Sequence, residues 1–503
     1  MKILLVNTNQ ATQPYPVFPV GLCSIASLLK RRGYTVEFLD LCFVKDTKTE
    51  IEAKVKSFTP DLVGVGVRNL DNSDMVGFRW FLPEVREMVR KIRSCCSARL
   101  VFGGAAVSVM PREVLEYLEG DLAVVGDGEQ PFLSAVKCLE EGGGMEELSR
   151  LGGLAGFHNG SYFQNAKVPV MDYEDFGTID ICAWTDAASY LKRGAIYPLQ
   201  SNRGCAFHCI YCTYTQIEGK KYRLRPSSLV IEEIRQAVRR GVKYFEFVDS
   251  VFNVPESHAR EICQSIIASG LKVKFGAAGL NPKWLTEALL QDMQKAGFES
   301  LDVTVESASG EMIKNLRKGF ELRDVENAAE RLRHYPMKVL WVFLLGGPGE
   351  NERTLEESFD FIRSKVRPTD CVYITAGLRV YPDTPLAAKC LEEKAVQSPG
   401  DLVRPTFYLS EQLSYDRIRE KVLQLAASHP NVIPSFDTDY SLMPFFYRVL
   451  HLIQAPQPYW RYSPFFSRVK SALSFLSRKQ SRSKSQETPS GSGAYISMKE
   501  VLA

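Results

Sequence analysis

Two long series of alternating apolar runs and amphipathic segments occupy most of this chain of 503 residues. In residues 1–150, apolar runs such as Lys2–Asn7 and Asp61–Val67 alternate with segments of helical periodicity such as Pro19–Arg32. Parallel strands need long crossover connections, which helices usually supply. The first series therefore predicts an α/β fold, with a doubly wound parallel sheet and helices on both of its faces.

The second series begins after residues 151–194, which show little periodicity and are predicted to be a connector. Its six predicted strands are Ala195–Gln200, Tyr244–Asp249, Val273–Ala277, Ser300–Val305, Lys338–Leu345 and Val372–Val380. Six successive strand–helix units within residues 195–395 favour a full or partial barrel, a (β/α)6 unit with its active site at the carboxyl ends of the strands. A second open sheet is the alternative. Residues 396–476 are predicted to be mainly helical, and the Ser-, Lys- and Arg-rich residues 477–503 to be disordered.

Composition narrows the class of protein. Lys+Arg 62 against Asp+Glu 59 gives a net charge of +3, so the chain as a whole shows no basic footprint for nucleic acid. It has no apolar run of about 18 residues, which predicts no transmembrane helix. The N-terminal apolar run is too short for a signal peptide. With twelve cysteines and no export signal, we expect a cytoplasmic protein that uses its thiols for metal or redox chemistry.

Three closely spaced cysteines give the sharpest chemical indication. Cys205, Cys209 and Cys212 lie in the segment SNRGCAFHCIYC, directly after the first predicted strand of the second series. Three thiolates on one loop can ligate three irons of a [4Fe–4S] cluster and leave the fourth iron open. The competing interpretations are zinc held with His208, although zinc ligands usually fall in two separated pairs, and chance clustering of buried cysteines.

The triplet, Tyr211 and the six strand–helix units together resemble the radical S-adenosylmethionine (SAM) enzymes. In that family the open iron binds SAM, and SAM cleavage yields a 5′-deoxyadenosyl radical. The motifs FVDSVFN, VTVES, LGGPGE and GLRVYPDT follow in the family's order. The resemblance implies an external one-electron reductant of the flavodoxin or ferredoxin type. It also implies SAM contacts from Tyr211, Asp249, Asn253, Glu306, Gly346, Gly347, Glu350 and Arg379.

The first series resembles the cobalamin-binding domain that precedes this barrel in one large subgroup. The matching segments are VNTN, PVGL, RNLDN, FGGAAVSVMP and VGDGE. A nucleotide-binding unit is the rival interpretation, but no G-x-G-x-x-G follows the first strand. The resemblance implies cobalamin contacts from Asn7, Thr8, Asn9, Gly21, Arg68, Asn69, Asp71, Gly103, Gly104, Ser108, Gly126, Asp127, Gly128 and Glu129.

One departure from that domain is informative. Many cobalamin domains ligate cobalt from below through a histidine in a DxHxxG loop, but no histidine precedes His158 in this chain. Arg68 is expected beneath the corrin, where its positive charge would oppose a lower ligand. This arrangement resembles the tryptophan C-methylases of the subgroup. A surface or salt-bridged arginine is the alternative.

The combined resemblance implies a cobalamin-dependent radical SAM C-methyltransferase. Such an enzyme would move a methyl group from SAM, by way of methylcobalamin, to a carbon of a natural-product or lipid-like small molecule. The alternatives are a cyclase or oxidoreductase on the same cofactors and, from another class, a non-catalytic cobalamin or iron–sulfur sensor. The aromatic and basic segment 459–475 indicates peripheral membrane contact or closure over a substrate, with a packed terminal helix as the alternative.

Overall fold

The computed structural model describes residues 1–437, 443–466 and 495–497, and two large sheets organise them. The first sheet has seven strands in the order β2-β1-β3-β4-β5-β6-β7. Strands β1 to β5 are parallel, as the sequence predicts, whereas β6 and β7 are antiparallel. The strands are β1 (Lys2–Asn7), β2 (Thr35–Asp40), β3 (Leu62–Gly66), β4 (Arg99–Gly103), β5 (Leu122–Val124), β6 (Leu154–His158) and β7 (Ser161–Gln164).

The hairpin of β6 and β7 lies within residues 151–194, which the sequence predicts to be a connector with little periodicity. Its turn is formed by Asn159 and Gly160, whose φ angles of 49° and 77° are those of a type I′ hairpin turn. The Asn-Gly pair is therefore the sequence signal for this hairpin. The sheet continues to Gln164, beyond the predicted boundary at residue 150.

Helices cover both faces of the first sheet. In β1, Leu4 and Val6 pack into one hydrophobic cluster, while Ile3 and Leu5 pack into another on the opposite face. Burial on both faces is typical of a parallel sheet between helical layers. The helices are α1 (Val20–Arg31), α2 (Thr47–Phe58), α3 (Leu82–Cys95), α4 (Ala105–Val109), α5 (Pro111–Leu118), α6 (Glu129–Glu140) and α7 (Met145–Leu148), followed by α8 (Tyr173–Phe176), α9 (Ile181–Trp184) and α10 (Ala187–Lys192).

The remaining strands form a second sheet of seven parallel strands and two small antiparallel pairings. In chain order they are β8 (Tyr197–Leu199), β9 (Asn202–Arg203), β10 (Arg223–Leu224), β11 (Tyr244–Phe247), β12 (Lys274–Leu280), β13 (Phe298–Glu306), β14 (Lys338–Leu345), β15 (Cys371–Ala376), β16 (Leu378–Arg379), β17 (Thr406–Tyr408), β18 (Val432–Pro434) and β19 (Tyr495–Ser497). The sheet order is β18-β15-β14-β13-β12-β11-β8. Its two edge strands are not paired with each other, as in the partial barrel that the sequence predicts.

The burial pattern of β14 distinguishes the two faces of this sheet. Val339, Trp341, Phe343 and Leu345 are buried in the core beneath the helices, whereas the alternate side chains are half-buried. The sheet therefore has a packed outer face and an inner face that borders a more open interior. The helices of this part are α11 (Tyr214–Ile217), α12 (Ser227–Arg239), α13 (Glu256–Ser269), α14 (Glu287–Ala296), α15 (Gly310–Asn315), α16 (Leu322–Leu332), α17 (Glu352–Lys365) and α18 (Pro385–Glu392).

The C-terminal region is helical, with α19 (Tyr415–Ser428) and α20 (Met443–Leu452), but it also contains strands. β18 extends the second sheet, and β17 pairs with β19, so Tyr495–Ser497 corrects the prediction of disorder over that part of residues 477–503. In the segment predicted to touch a membrane, Phe466 is buried and Phe465 is 63% exposed, while residues 467–475 lie outside the described residues. None of the described helices has the length and apolar composition that a membrane span requires.

Candidate functional site

The cysteine loop between β9 and α11 is held by a buried carboxyl group. Asp249 accepts hydrogen bonds from the Ser201 amide (2.6 Å), the Asn202 amide (2.9 Å) and the Ser201 hydroxyl (2.8 Å). Burial raises the pKa of Asp249 to about 7 despite these bonds. Gly204 has φ +93°, and a side chain there would collide with the carbonyl of Lys221. The first thiol therefore leaves a rigid turn, and Asp249 supports that turn.

The three predicted cluster ligands lie together on this loop. Cys205 is buried and Cys209 and Cys212 are half-buried, whereas His208 is exposed, and no cysteine of the chain is in a disulfide. Among the described residues, no three His, Cys, Asp or Glu side chains converge as ligands of a single ion do. A cubic cluster binds each thiolate through a different iron, so its ligands need not converge. The loop fits a [4Fe–4S] cluster better than a zinc ion.

Tyr211, Glu306 and Lys318 form a buried network beside the thiols. The Tyr211 hydroxyl donates to Glu306 Oε1 at 2.7 Å, and Lys318 Nζ lies 2.5 Å from Glu306 Oε2. Lys318 Nζ also donates to the Tyr211 hydroxyl at 3.1 Å. Glu306 ends β13 with φ +58°, a strained conformation that is common at functional sites.

Sequence reasoning missed Lys318. A buried lysine cannot be distinguished from a surface lysine by its neighbours in the sequence. The sequence feature that could have indicated Lys318 is Gly319, the residue after it. Gly319 has φ +73°, and a Cβ there would lie 2.5 Å from the ring of Phe207 in the cysteine loop. The turn that carries Lys318 thus packs directly against the predicted cluster site. The negative charge of Glu306 outweighs the effect of burial on the Lys318 ammonium, so the pKa of Lys318 is raised.

The glycine motif after β14 encloses a carboxyl group. Glu350 Oε2 accepts from the amides of Gly346 and Gly347, the latter at 3.2 Å, while Oε1 is buried without a partner. Burial raises the pKa of Glu350 to about 7. Asn253 instead exchanges two hydrogen bonds with the Asn281 backbone, at 2.8 and 3.0 Å. Of these predicted SAM contacts, Glu350 keeps an acceptor for a ligand donor, whereas Asn253 supports the fold.

The loops at the carboxyl ends of β1, β3, β4 and β5 meet at one edge of the first sheet, next to the start of α1. A side chain at Gly104 (φ +112°) would collide with the Val67 carbonyl, and Asn9 Nδ2 is a buried donor without a partner. This tightly closed edge with a free donor fits the amide-rich periphery of a corrin. The predicted residues that the edge brings together are Asn7, Thr8, Asn9, Gly21, Asn69, Gly103, Gly104, Ser108, Gly126 and Gly128.

Arg68 lies on the same edge and forms no ion pair within the described residues. The alternative of a salt-bridged arginine is therefore not seen there. Its side chain is accessible to water, yet desolvation lowers its pKa, and no carboxylate offsets that effect. Tyr214, its neighbour from the second domain, is 43% exposed, but burial raises its pKa to about 12. Tyr214 of α11 and Arg68 are close enough for each to affect the pKa of the other across the domain boundary.

Two residues predicted to bind different cofactors bind each other instead. Arg379 Nε donates to Asp71 Oδ2 at 2.8 Å, and both side chains are buried. The other guanidinium nitrogens donate to the carbonyls of Val380 and Leu402. The predicted contacts of Asp71 with cobalamin and of Arg379 with SAM therefore compete with an ion pair that joins the two domains.

A second set of ion pairs, which we call the interdomain clamp, comprises Asp127, Glu129, Arg203 and Arg223. Arg203 donates to Glu129 Oε1 at 2.7 Å and Oε2 at 3.0 Å, and lies 3.1 Å from Asp127 Oδ1. Arg223 pairs with the other oxygen of Asp127. Because Arg203 precedes Cys205 by two residues, the clamp fixes the cysteine loop to the VGDGE loop, whose two acidic residues are thus engaged within the protein.

Acidification is expected to weaken the clamp. Burial alone would raise the pKa of Glu129, but the charge and hydrogen bonds of Arg203 outweigh it and hold the pKa at about 2. Since this is below the ordinary value of 4.5, Glu129 stabilises the fold above pH 4.5 and loses that contribution as the pH falls toward 2. The contribution is about 3 kcal/mol, from 1.36 kcal/mol per pKa unit.

Urea unfolding of wild type and Glu129→Gln at pH 7 and pH 3 measures this contribution. The difference between the two proteins should be large at pH 7 and smaller at pH 3. Glu84→Gln, which removes an exposed pair with Arg79, is the control and should change stability by less than about 1 kcal/mol at either pH. A difference that does not depend on pH would contradict an ionised Glu129 in the clamp.

Comparison with known protein families identifies a domain in each of the two large parts of the chain. The family model of the B12 binding domain matches residues 7–136, and that of the Radical SAM superfamily matches residues 199–362. The chain carries a B12-binding domain and a radical SAM domain. The predicted family and fold class are confirmed by these matches, and the order of the two domains is the predicted one.

Relatives of this radical SAM protein include two methyltransferases. An uncharacterized methyltransferase of Pyrococcus horikoshii is 25% identical over 348 residues, 69% of this chain and 73% of that protein. The tryptophan 2-C-methyltransferase of Streptomyces laurentii is 22% identical over 451 residues, 78% and 74% of the two chains. The structure of the methyltransferase TsrM from Kitasatospora setae, with cobalamin and a [4Fe–4S] cluster bound, has the same fold (TM-score 0.81, 21% identity, 94% of this chain and 99% of that chain).

Proposed function

We propose that this protein is a cobalamin-dependent radical SAM C-methyltransferase that transfers a methyl group from SAM to a carbon of a small-molecule substrate. The observation that carries the proposal is the interdomain clamp, because it joins the cysteine loop to the cobalamin-facing edge of the first sheet through hydrogen bonds of 2.7 and 3.0 Å. The loops proposed to hold the two cofactors are therefore close to each other. When bound, the cluster supplies electrons and cobalamin serves as the methyl carrier.

The residues of this chain have distinct roles in the proposal. Cys205, Cys209 and Cys212 hold the cluster. Glu306, fixed by Tyr211 and Lys318, orients SAM beside it, and the unpartnered Oε1 of Glu350 accepts a hydrogen bond from SAM. A flavodoxin or ferredoxin in the cytoplasm would deliver the electrons.

Arg68 is proposed to cover the lower face of cobalamin. Its guanidinium forms no ion pair with the described part of the chain, and Arg68 lines the edge where the corrin would bind, together with Thr8 and Asn9. A cation there opposes a Lewis-basic donor below cobalt. The tryptophan 2-C-methyltransferase among the relatives supports methylation of a small molecule as the reaction class.

The test uses anaerobically purified, iron-reconstituted protein with hydroxocobalamin, SAM and a reductant. S-adenosylhomocysteine with 5′-deoxyadenosine supports a radical methylase, and S-adenosylhomocysteine alone supports methylation without a radical. 5′-Deoxyadenosine alone would assign a cyclase or oxidoreductase instead. Neither product would leave a binding protein. The cob(II)alamin EPR spectrum of the same sample should show no splitting from a nitrogen ligand, and such splitting would overturn the role of Arg68.

A further inference from the structure

The inner face of the second sheet carries two carboxyl groups that the proposed chemistry does not use. Tyr244 on β11 hydrogen-bonds to Ser300 on β13 across the intervening β12. They meet in front of Gly276, where a Cβ would lie 2.5 Å from the Tyr244 hydroxyl and 2.6 Å from Ser300 Oγ. Because side chains alternate along a strand, Glu246 and Asp302, two residues further along, lie on this same inner face.

Neither carboxyl group has a cationic partner. Glu246 is 7% exposed and forms no ion pair with the described residues, and Asp302 Oδ1 is a buried acceptor without a partner. Burial raises the pKa of Glu246 to about 7. Burial and the nearby charge of Glu246 raise the pKa of Asp302, and no cation among the described residues lowers either pKa. A buried carboxyl group without a cation is costly to ionise, so both groups favour the protonated form until a cationic group approaches them.

A tyrosine of the first domain lies between these carboxyl groups and Arg68. Tyr15, in the loop between β1 and α1, is close enough to Glu246 and Asp302 on one side and to Arg68 on the other for their charges to affect its pKa, which burial raises. Tyr15 also packs against the aromatic cluster that contains Tyr447 of α20. Tyr15 is therefore near both Arg68 at the proposed cobalamin edge and the two carboxyl groups.

We propose that Glu246 and Asp302 bind a cationic nitrogen of the substrate, such as an ammonium or guanidinium group. The carbon to be methylated would then lie between the pair and Arg68. The inference rests on the proposed function and specifies its substrate class. A cationic group would lower the raised pKa values of the pair and stabilise their ionised form. An anionic group would oppose that ionisation, and a neutral hydrocarbon would leave the carboxyl groups unpaired. A metal ion is less suited, because no third acidic, His or Cys side chain joins the pair in the described part of the chain.

Two probes that differ in charge test the proposal. Tryptamine and indole-3-propionate share an aromatic ring, but one carries an ammonium and the other a carboxylate. Calorimetric titration of the cluster- and cobalamin-loaded protein should show at least about tenfold tighter binding of tryptamine, as expected for a charged hydrogen bond. Glu246→Gln/Asp302→Asn should reduce that preference to less than about twofold. Glu299→Gln on β13, which removes a pair with Lys274 instead, should keep it.

Three results would overturn the inference: no binding of the amine, equal binding of both probes, or a preference that survives in the double variant. Iron and cobalamin contents of the double variant report folding, and the single variant Asp302→Asn replaces it if they fall. S-adenosylhomocysteine formation by the wild type separates the two proposals. If this product forms but the amine preference is absent, only the carboxyl-pair inference fails. If neither SAM product forms, the proposed function fails first.

Discussion

Cys209→Ala is expected to lose the bound cluster and all cleavage of SAM. Cys209 is the central thiol of a loop that provides three ligands, and two thiolates on a half-exposed loop do not retain a cubic cluster. Iron and sulfide contents, the visible absorption of the reconstituted protein, and 5′-deoxyadenosine formation should all fall to background.

The matched control is Cys95→Ala. Cys95 is a half-buried free thiol in α3 of the first domain, away from the cysteine loop. This variant should retain iron and SAM cleavage at wild-type levels. Retention of a SAM-cleaving cluster by Cys209→Ala, or equal loss in Cys95→Ala, would contradict the assignment of the triplet.

Lys318→Met is expected to destabilise the protein by about 3–5 kcal/mol, because it leaves Glu306 as a buried carboxylate without its cation. Both side chains are less than a tenth exposed, and Lys318 Nζ is the ion-pair partner at 2.5 Å. The double variant Lys318→Met/Glu306→Gln removes both charges and should regain most of that loss. Urea unfolding midpoints at pH 7 measure both effects.

A surface pair provides the comparison. Lys274→Met removes an ion pair with Glu299 in which the lysine is 56% exposed. This variant should lower the free energy of unfolding by less than about 1 kcal/mol. If Lys318→Met costs no more than Lys274→Met, or if the double variant is no more stable than Lys318→Met, the network is not the buried charged unit described above. SAM affinity should fall in both Lys318 variants, because Glu306 loses the group that orients it.

Structural elements and motifs that depend only on local sequence patterns could be predicted. β14 has the predicted bounds Lys338–Leu345, because a long apolar run bounded by polar residues can hardly form anything else. β18 was not predicted, because a three-residue strand has no periodicity. The cysteine triplet could be recognised from its spacing alone, since all three cysteines lie on one loop.

Pairing between distant residues could not be predicted. The resemblance to cobalamin-binding domains implied that Asp127 and Glu129 contact cobalamin, yet their partner Arg203 is more than 70 positions away in the sequence. The same holds for Asp71 with Arg379 and for Glu306 with Lys318. Residue type and loop position identify where chemistry occurs, whereas the direction of each side chain depends on how the two sheets dock.

The interdomain clamp also has a thermodynamic consequence. Because Arg203 is bound by the first domain and belongs to the cysteine loop of the second, ordering either loop lowers the entropy cost of ordering the other. Linkage makes this coupling reciprocal. Cobalamin should bind more tightly when the cluster is in place, and the cluster should be lost more slowly when cobalamin is present. The two cofactors would thus be acquired cooperatively, although no residue has to touch both.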